Sequence, residues 1–282
     1  MDTSSGRLPA TSELARTQPT ATSASQWLNV ITILTLLGLS AATPRAAEVA
    51  VDVGHTLSQP GATSARGRPE FAFNAALARH LAAELQARGL AVRPINFDGA
   101  IDSLVARPIQ AAGADFFLSI HHDSVHADLL QEWRWQGTVQ TYTDQYAGFA
   151  LFVSHDNPDL HTSLSCASAI GARLRRTGFL AATHHAEPLA GKPRQPADAA
   201  NAVYYYDNLV VLYRTTLPAV LFEAGVIKHR AEELALLDPQ RQTRMADAIA
   251  TGIAACLYPC ATARRDSPAA GGASDSQCND HR

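Results

Sequence analysis

From Glu48 onward, short apolar runs alternate with segments whose apolar residues recur every three to four positions. A chain satisfies that pattern by laying helices over a mainly parallel sheet. Residues 49–53 form the first predicted strand. Phe73, Leu77, Leu81 and Leu85 then recur at four-residue intervals, with Pro69 near the start and Gly89 just past the end, as in an amphipathic helix packed on that strand. Further strands are predicted at 90–95, 115–120, 148–154, 209–213 and 219–222. The run at 115–120 is almost entirely apolar and is expected to be buried on both faces. A helix is predicted at 164–176, with Leu164, Ala167, Ile170 and Leu174 on one stripe and Gly178 at its close. Another is predicted at 241–257, with Met245, Ile249, Ile253 and Cys256 aligned. The expected fold class is α/β: a mainly parallel twisted sheet of about six strands with helices on both faces.

At 282 residues and 46% hydrophobic, the chain can bury one substantial core, so one domain at 48–258 with tails is the simplest organisation. Residues 1–47 read as a targeting segment: Arg7 and Arg16 lie in a polar Ser/Thr-rich stretch, and an apolar run follows at 27–39. That run is shorter than the roughly 20 residues of a bilayer span and suits the core of a signal peptide. Its long polar approach keeps an uncleaved anchor open, the one case in which the chain would stay on a membrane. Ser40, Ala41 and Ala42, or Ala46 and Ala47, offer cleavage points. No arginine pair precedes the run and no cysteine follows it, which points to the general secretion route and a periplasmic or secreted product. The tail at 259–282, rich in Ala, Gly, Ser and Asp, is expected to be disordered.

A formal net charge of −3 offers no footprint for a phosphate backbone, so nucleic acid is excluded as a partner and a small or peptidic substrate is expected. Cys166, Cys256, Cys260 and Cys278 lack the paired spacing of a structural zinc site. A bridge such as Cys256 to Cys260 is conceivable in an oxidising compartment, although Pro259 lies between them. Two segments, 126–147 and 184–201, do not fit the layering, and long loops in compact domains are usually functional lids or binding loops.

Three polar residues stand just beyond apolar runs: His55 after 49–53, His121 after 116–120 and Glu223 after 220–222. The carboxyl ends of parallel strands form one rim, so these side chains can converge although far apart in sequence. Glu70 opens the helix that leaves that rim, in position to point back toward His55. Two imidazoles and a carboxylate are a common ligand set for hydrolytic Zn²⁺, leaving a fourth position free. His55, Glu70 and His121 are therefore the candidate metal ligands, and Glu223 the candidate general base. Taken singly, each has a plainer reading. A loop histidine is usually solvated, and a glutamate in the first turn of a helix favours the helix dipole. A carboxylate ending a buried strand is rarer, because an unpaired buried charge is costly. The succession His121, His122 and Asp123 suggests divided roles, one residue binding and its neighbour supporting. The remaining histidines read as surface or loop residues, His80 facing solvent, with substrate contact by His185 as an outlying expectation.

These segments resemble one family, the zinc-dependent N-acetylmuramoyl-L-alanine amidases of the "amidase 3" type. Val51-Asp52-Val53-Gly54-His55 is similar to that family's first ligand strand, and Glu70 followed by Asn74 to its helix start. The run from Ala114 to Ser124 contains its Ser-Ile-His signature, and the run from Leu217 to Gly225 its Pro-Ala-Val-Leu-x-Glu-x-Gly segment. The resemblance implies zinc bound by His55, Glu70 and His121, a catalytic Glu223, and hydrolysis of the amide between N-acetylmuramic acid and L-alanine in peptidoglycan. It also implies peptidoglycan or muropeptides as the partner, with a protein activator in some relatives whose zinc is blocked by a helix; residues 126–147 stand as a candidate lid. Trp133 and Trp135 in that segment are expected to pack on the core, with stacking on a sugar as the alternative. The chain departs from the family where Thr56 to Gly61 replaces a Gly-rich turn and where Ile95-Asn96 replaces Thr-Arg. Two rival readings remain: another zinc amidohydrolase or carboxypeptidase acting on wall peptides, and a catalytically silent peptidoglycan-binding protein.

Overall fold

The computed structural model describes residues 45–188 and 193–258. The predicted export segment up to residue 44, the tail from 259, and with it Cys260 and Cys278, lie outside the described residues. In chain order the elements are β1 (Glu48–Val53), α1 (Glu70–Ala87), β2 (Ala91–Ile95), α2 (Ala106–Gln110) and β3 (Phe116–Asp123). Then come β4 (Gln131–Trp135), β5 (Thr138–Tyr142), β6 (Ala150–Val153), α3 (Leu160–Arg176), β7 (Pro196–Asp198) and β8 (Val203–Tyr205). The domain closes with α4 (Val210–Tyr213), β9 (Ala219–Val226), α5 (Arg230–Leu236) and α6 (Pro239–Leu257). No helix among the described residues is long and apolar enough to cross a membrane.

Seven strands form the main sheet, in the order β2-β1-β3-β9-β6-β8-β7. β2, β1, β3 and β9 run parallel to one another; β6 pairs antiparallel with β9 and parallel with β8. β3 lies in the interior of the sheet, next to the central β9, and its residues Phe116, Phe117, Leu118 and Ile120 lose all contact with water. In α1, Phe73, Leu77, Leu81 and Leu85 are at most 1% exposed, each such burial contributing about 1.5–3 kcal/mol. α6 packs on both α1 and α3, so the three long helices make one layer over the sheet.

The structure differs from the sequence reading in five places. Residues 209–213 form the helical turn α4 rather than a strand, because Val211 and Leu212 bury their side chains in a helical turn against β9. An apolar run this short carries no periodicity to tell the two apart. The short strands β8 and β7 complete that side of the sheet instead, bringing the expected count of about six strands to seven. The strands carrying His121 and Glu223 continue past them to Asp123 and Val226, so both residues lie inside strands. The segment 126–147 is no irregular loop: its core is the antiparallel hairpin β4–β5. Finally, Cys256 is bonded to Cys166 and not to Cys260, with Cα atoms 5.1 Å apart.

That bond joins α3 to α6 where the two helices are in closest approach: a Cβ at Gly252 would lie 2.6 Å from Cα of Ile170. Cys166 meets Cys256 and, one turn on, Ile170 meets Gly252, so the helices run antiparallel. The crosslink closes a ring across a sequence separation of 90. Replacing both cysteines by alanine, or adding dithiothreitol, is expected to lower unfolding free energy by about 3–5 kcal/mol, the loop-closure entropy of a ring this size. Urea denaturation followed by circular dichroism measures it; a midpoint indifferent to reductant would remove the crosslink from the account of stability.

Candidate metal centre

The chain turns sharply after β1, and that turn aims His55. His55 has a φ of 66°, a left-handed conformation uncommon outside glycine, and here its surroundings hold it there. Two side chains do so. Asn96 Nδ2 donates to the carbonyl of Val53 at 2.7 Å and to that of His55 at 2.6 Å, and Arg107 Nη2 donates to the same His55 carbonyl at 2.9 Å. Arg107, on α2, is 1% exposed and lies over Asp52 at 3.8 Å. Burial pushes the Asp52 carboxyl above its usual range, with Arg107 and a 2.6 Å hydrogen bond from Ser119 opposing it.

Glu70, the first residue of α1, receives both imidazoles. His55 Nε2 lies 2.9 Å from Oε2 and His121 Nδ1 lies 3.1 Å from Oε1, while the two rings meet edge-on with centroids 5.0 Å apart. One ligand atom from each of the three residues lies within 4.8 Å of the others. Backbone amides of Ala62 and His122 and the Asn74 side chain also donate to the carboxylate. Burial works to raise the Glu70 pKa, but the hydrogen bonds and charge of His121 and His55 outweigh it and hold the group ionised. The space around these atoms is maintained by glycines. A Cβ at Gly61, whose φ is +78°, would sit 2.5 Å from Glu70 Oε2, and one at Gly54 would sit 2.3 Å from the His121 ring. Three donors, one anionic and two imidazole, in a cradle that any side chain would fill, fit a zinc-type ion.

Glu223 lies on β9 directly opposite His121 in the parallel register, so both side chains leave the same face of the sheet. Its Oε2 is enclosed and has no hydrogen-bond partner. Burial, then the nearby carboxylates of Asp123 and Glu70, push its pKa well above the usual range. All four residues singled out in the sequence thus gather at the carboxyl ends of β1, β3 and β9. His122 points to α1, its Nδ1 2.7 Å from Asn74 Oδ1, and burial drives its pKa down to about 3, leaving it neutral.

Sequence reasoning missed a second group on the same rim. Asp123 meets His184, Oδ2 to Nε2 at 2.8 Å, and His185 at 3.4 Å. These three residues, with Glu223, Arg194 and Tyr206, line a cavity of about 360 Å³. Burial pushes His185 down to about 4. The exclusion of 184–201 from the helix and strand layers was the available signal. His80, read as solvent-facing, is partly covered and contacts Thr243 Oγ1 at 3.2 Å.

The hairpin β4–β5 packs beside the centre. Trp133 Nε1 donates to the carbonyl of Ala65 at 2.9 Å, and the Arg66 guanidinium stacks over Trp133 and Trp135, 5.3 and 4.9 Å from their ring centroids. The indoles stack on each other rather than entering the sheet core. His126 and Leu129, which precede the hairpin, line the cavity shared by Glu223 and Asp123.

The family model described as N-acetylmuramoyl-L-alanine amidase (Amidase_3) matches residues 49–255. Among solved structures, the N-acetylmuramyl-L-alanine amidase Ami1 from Mycobacterium smegmatis is similar at 20% identity and TM-score 0.59, covering 76% of this chain and 97% of that one. The catalytic domain of the amidase CwlV from Bacillus (Paenibacillus) polymyxa var. colistinus is similar at 24% identity and TM-score 0.56, covering 75% and 98%. The CwlD amidase from Clostridioides difficile, solved in complex with the GerS lipoprotein, is similar at 19% identity and TM-score 0.56, covering 76% and 99%. At these identities the likeness establishes a shared fold. A search among curated proteins found no match.

Asn96 occupies one of the positions where the sequence departs from the family pattern, and here it clamps His55. If the centre takes up zinc, Asn96→Ala is expected to weaken its binding by about 10–100-fold, the usual cost of losing a group that orients a ligand. Titration against a competing chelator reads it, and an unchanged affinity would mean that His55 holds its conformation without the clamp.

Proposed function

The chain belongs to the family of N-acetylmuramoyl-L-alanine amidases (Amidase_3), which act on peptidoglycan, and from that premise we propose a zinc-dependent hydrolase of the bond between N-acetylmuramic acid and L-alanine. In this reading residues 48–258 are the catalytic domain, His55, Glu70 and His121 hold the ion, and Glu223 carries protons. Zinc would supply Lewis acidity, polarising a carbonyl and acidifying water. The observation that carries the reading is the pair of carboxylates in opposed environments. Glu70, ringed by donors, stays anionic and suits a ligand. Glu223, on β9 beside His121 and with a buried unpartnered oxygen, suits a group that takes up and releases a proton.

Glu223 would accept the proton of the attacking water and pass it to the departing amide nitrogen. Asn74 would fix both the Glu70 carboxylate and the His122 ring behind it. The cavity beside Glu223 would take the peptide side of the substrate. Export by the general secretion route to the periplasm or exterior fits the Cys166–Cys256 bond, which persists in an oxidising compartment.

Glu223→Gln is expected to lower turnover of muropeptides by about 10²–10⁴-fold while zinc content stays at one equivalent in the His55, Glu70 and His121 site. Mass spectrometry of digested sacculi is expected to find glycan strands with intact lactyl groups beside free peptides. Release of terminal amino acids alone would instead make the enzyme a wall carboxypeptidase. Running the digest with no other protein added tests at once for dependence on an activator.

A further inference from the structure

We propose that Asp123, His184 and His185 form a second site for a divalent ion of the zinc class, separate from the one at His55, Glu70 and His121. The two clusters have the same construction. In each, two imidazole nitrogens converge on one carboxylate: 2.9 and 3.1 Å at Glu70, from the end of β1 and from β3, and 2.8 and 3.4 Å at Asp123, from adjacent residues of one loop. Tetrahedral zinc with bonds near 2.0–2.1 Å holds its ligand atoms about 3.3 Å apart, so both clusters need only slight opening to admit the ion. One ligand atom from each of Asp123, His184 and His185 lies within 4.8 Å of the other two.

A plain ion pair explains the contact between Asp123 and His184, but not the position of His185. Its Nε2 is buried and has no hydrogen-bond partner, although it faces Asp123. A buried polar nitrogen without a partner costs about 1–3 kcal/mol, and binding an ion removes that cost. The rings are held in place: His185 packs edge-on against Phe152 at 5.0 Å, and His184 against Tyr146 at 5.5 Å. The Arg194 amide donates to the His185 carbonyl at 2.7 Å, fixing the backbone of the loop. The side-chain exposures of 15%, 9% and 15% for Asp123, His184 and His185 leave the cluster sheltered yet open to the cavity it shares with Glu223. Two imidazoles favour zinc, cobalt or nickel over calcium or magnesium, which prefer oxygen.

The test is zinc titration of the full chain, stripped by chelator, alongside His121→Ala, the double variant His184→Ala/His185→Ala, and Asp123→Asn as the conservative change. Wild type is expected to take up two equivalents, each of the three variants one, with circular dichroism confirming that each is folded. A wild type that binds one equivalent, lost in His121→Ala and kept in the double variant, overturns the second site and leaves the proposed hydrolase intact. One equivalent lost only in the double variant and in Asp123→Asn upholds the second site and sinks the zinc-dependent mechanism at His55, Glu70 and His121. No tight binding in any protein overturns both.

Discussion

Parallel pairing of β1, β3 and β9 in register is the constraint from which the site follows. Because Val53 lies beside Ile120 and His121 beside Glu223, the chain reverses at one level along the sheet, and residues separated by more than a hundred positions meet there. A one-residue slip would turn every side chain of a strand to the opposite face, His121 and Glu223 included, and would part Ser119 from Asp52. The register of β3 and β9 is thus as much a part of the site as the imidazoles.

Within that frame, small differences in surroundings separate two glutamates of the same intrinsic acidity. Glu70 sits at a helix start among backbone amide, side-chain amide and imidazole donors, and each favours the anion. Glu223 sits among strands, with carboxylates for neighbours and one oxygen facing nothing. The backbone contributes as well: the left-handed His55 is an unfavourable conformation maintained by Asn96 and Arg107, which are anchored in turn by Val53, Ile101 and Asp52.

Much of this was legible in the sequence, because burial writes itself into periodicity. Phe73 through Leu85 marked α1, and the apolar runs before His55, His121 and Glu223 marked the rim, even though two of those strands run on further. Leu209 to Tyr213 misled because β-branched and aromatic residues serve a buried helical turn as well as a strand. Asp123, His184 and His185 were illegible as a group because a loop supplies two of the three and no periodicity records where a loop folds back. Cys166 and Cys256 were unreadable as partners for a similar reason: only the antiparallel crossing of α3 and α6 brings them together.

The covalent ring between those helices encloses both the loop bearing His184 and His185 and the strand bearing Glu223. A protease that severed the exposed loop once would therefore leave a single molecule. Its cut ends would remain tethered at high effective concentration instead of diffusing apart, and the two halves of the rim would stay in each other's reach.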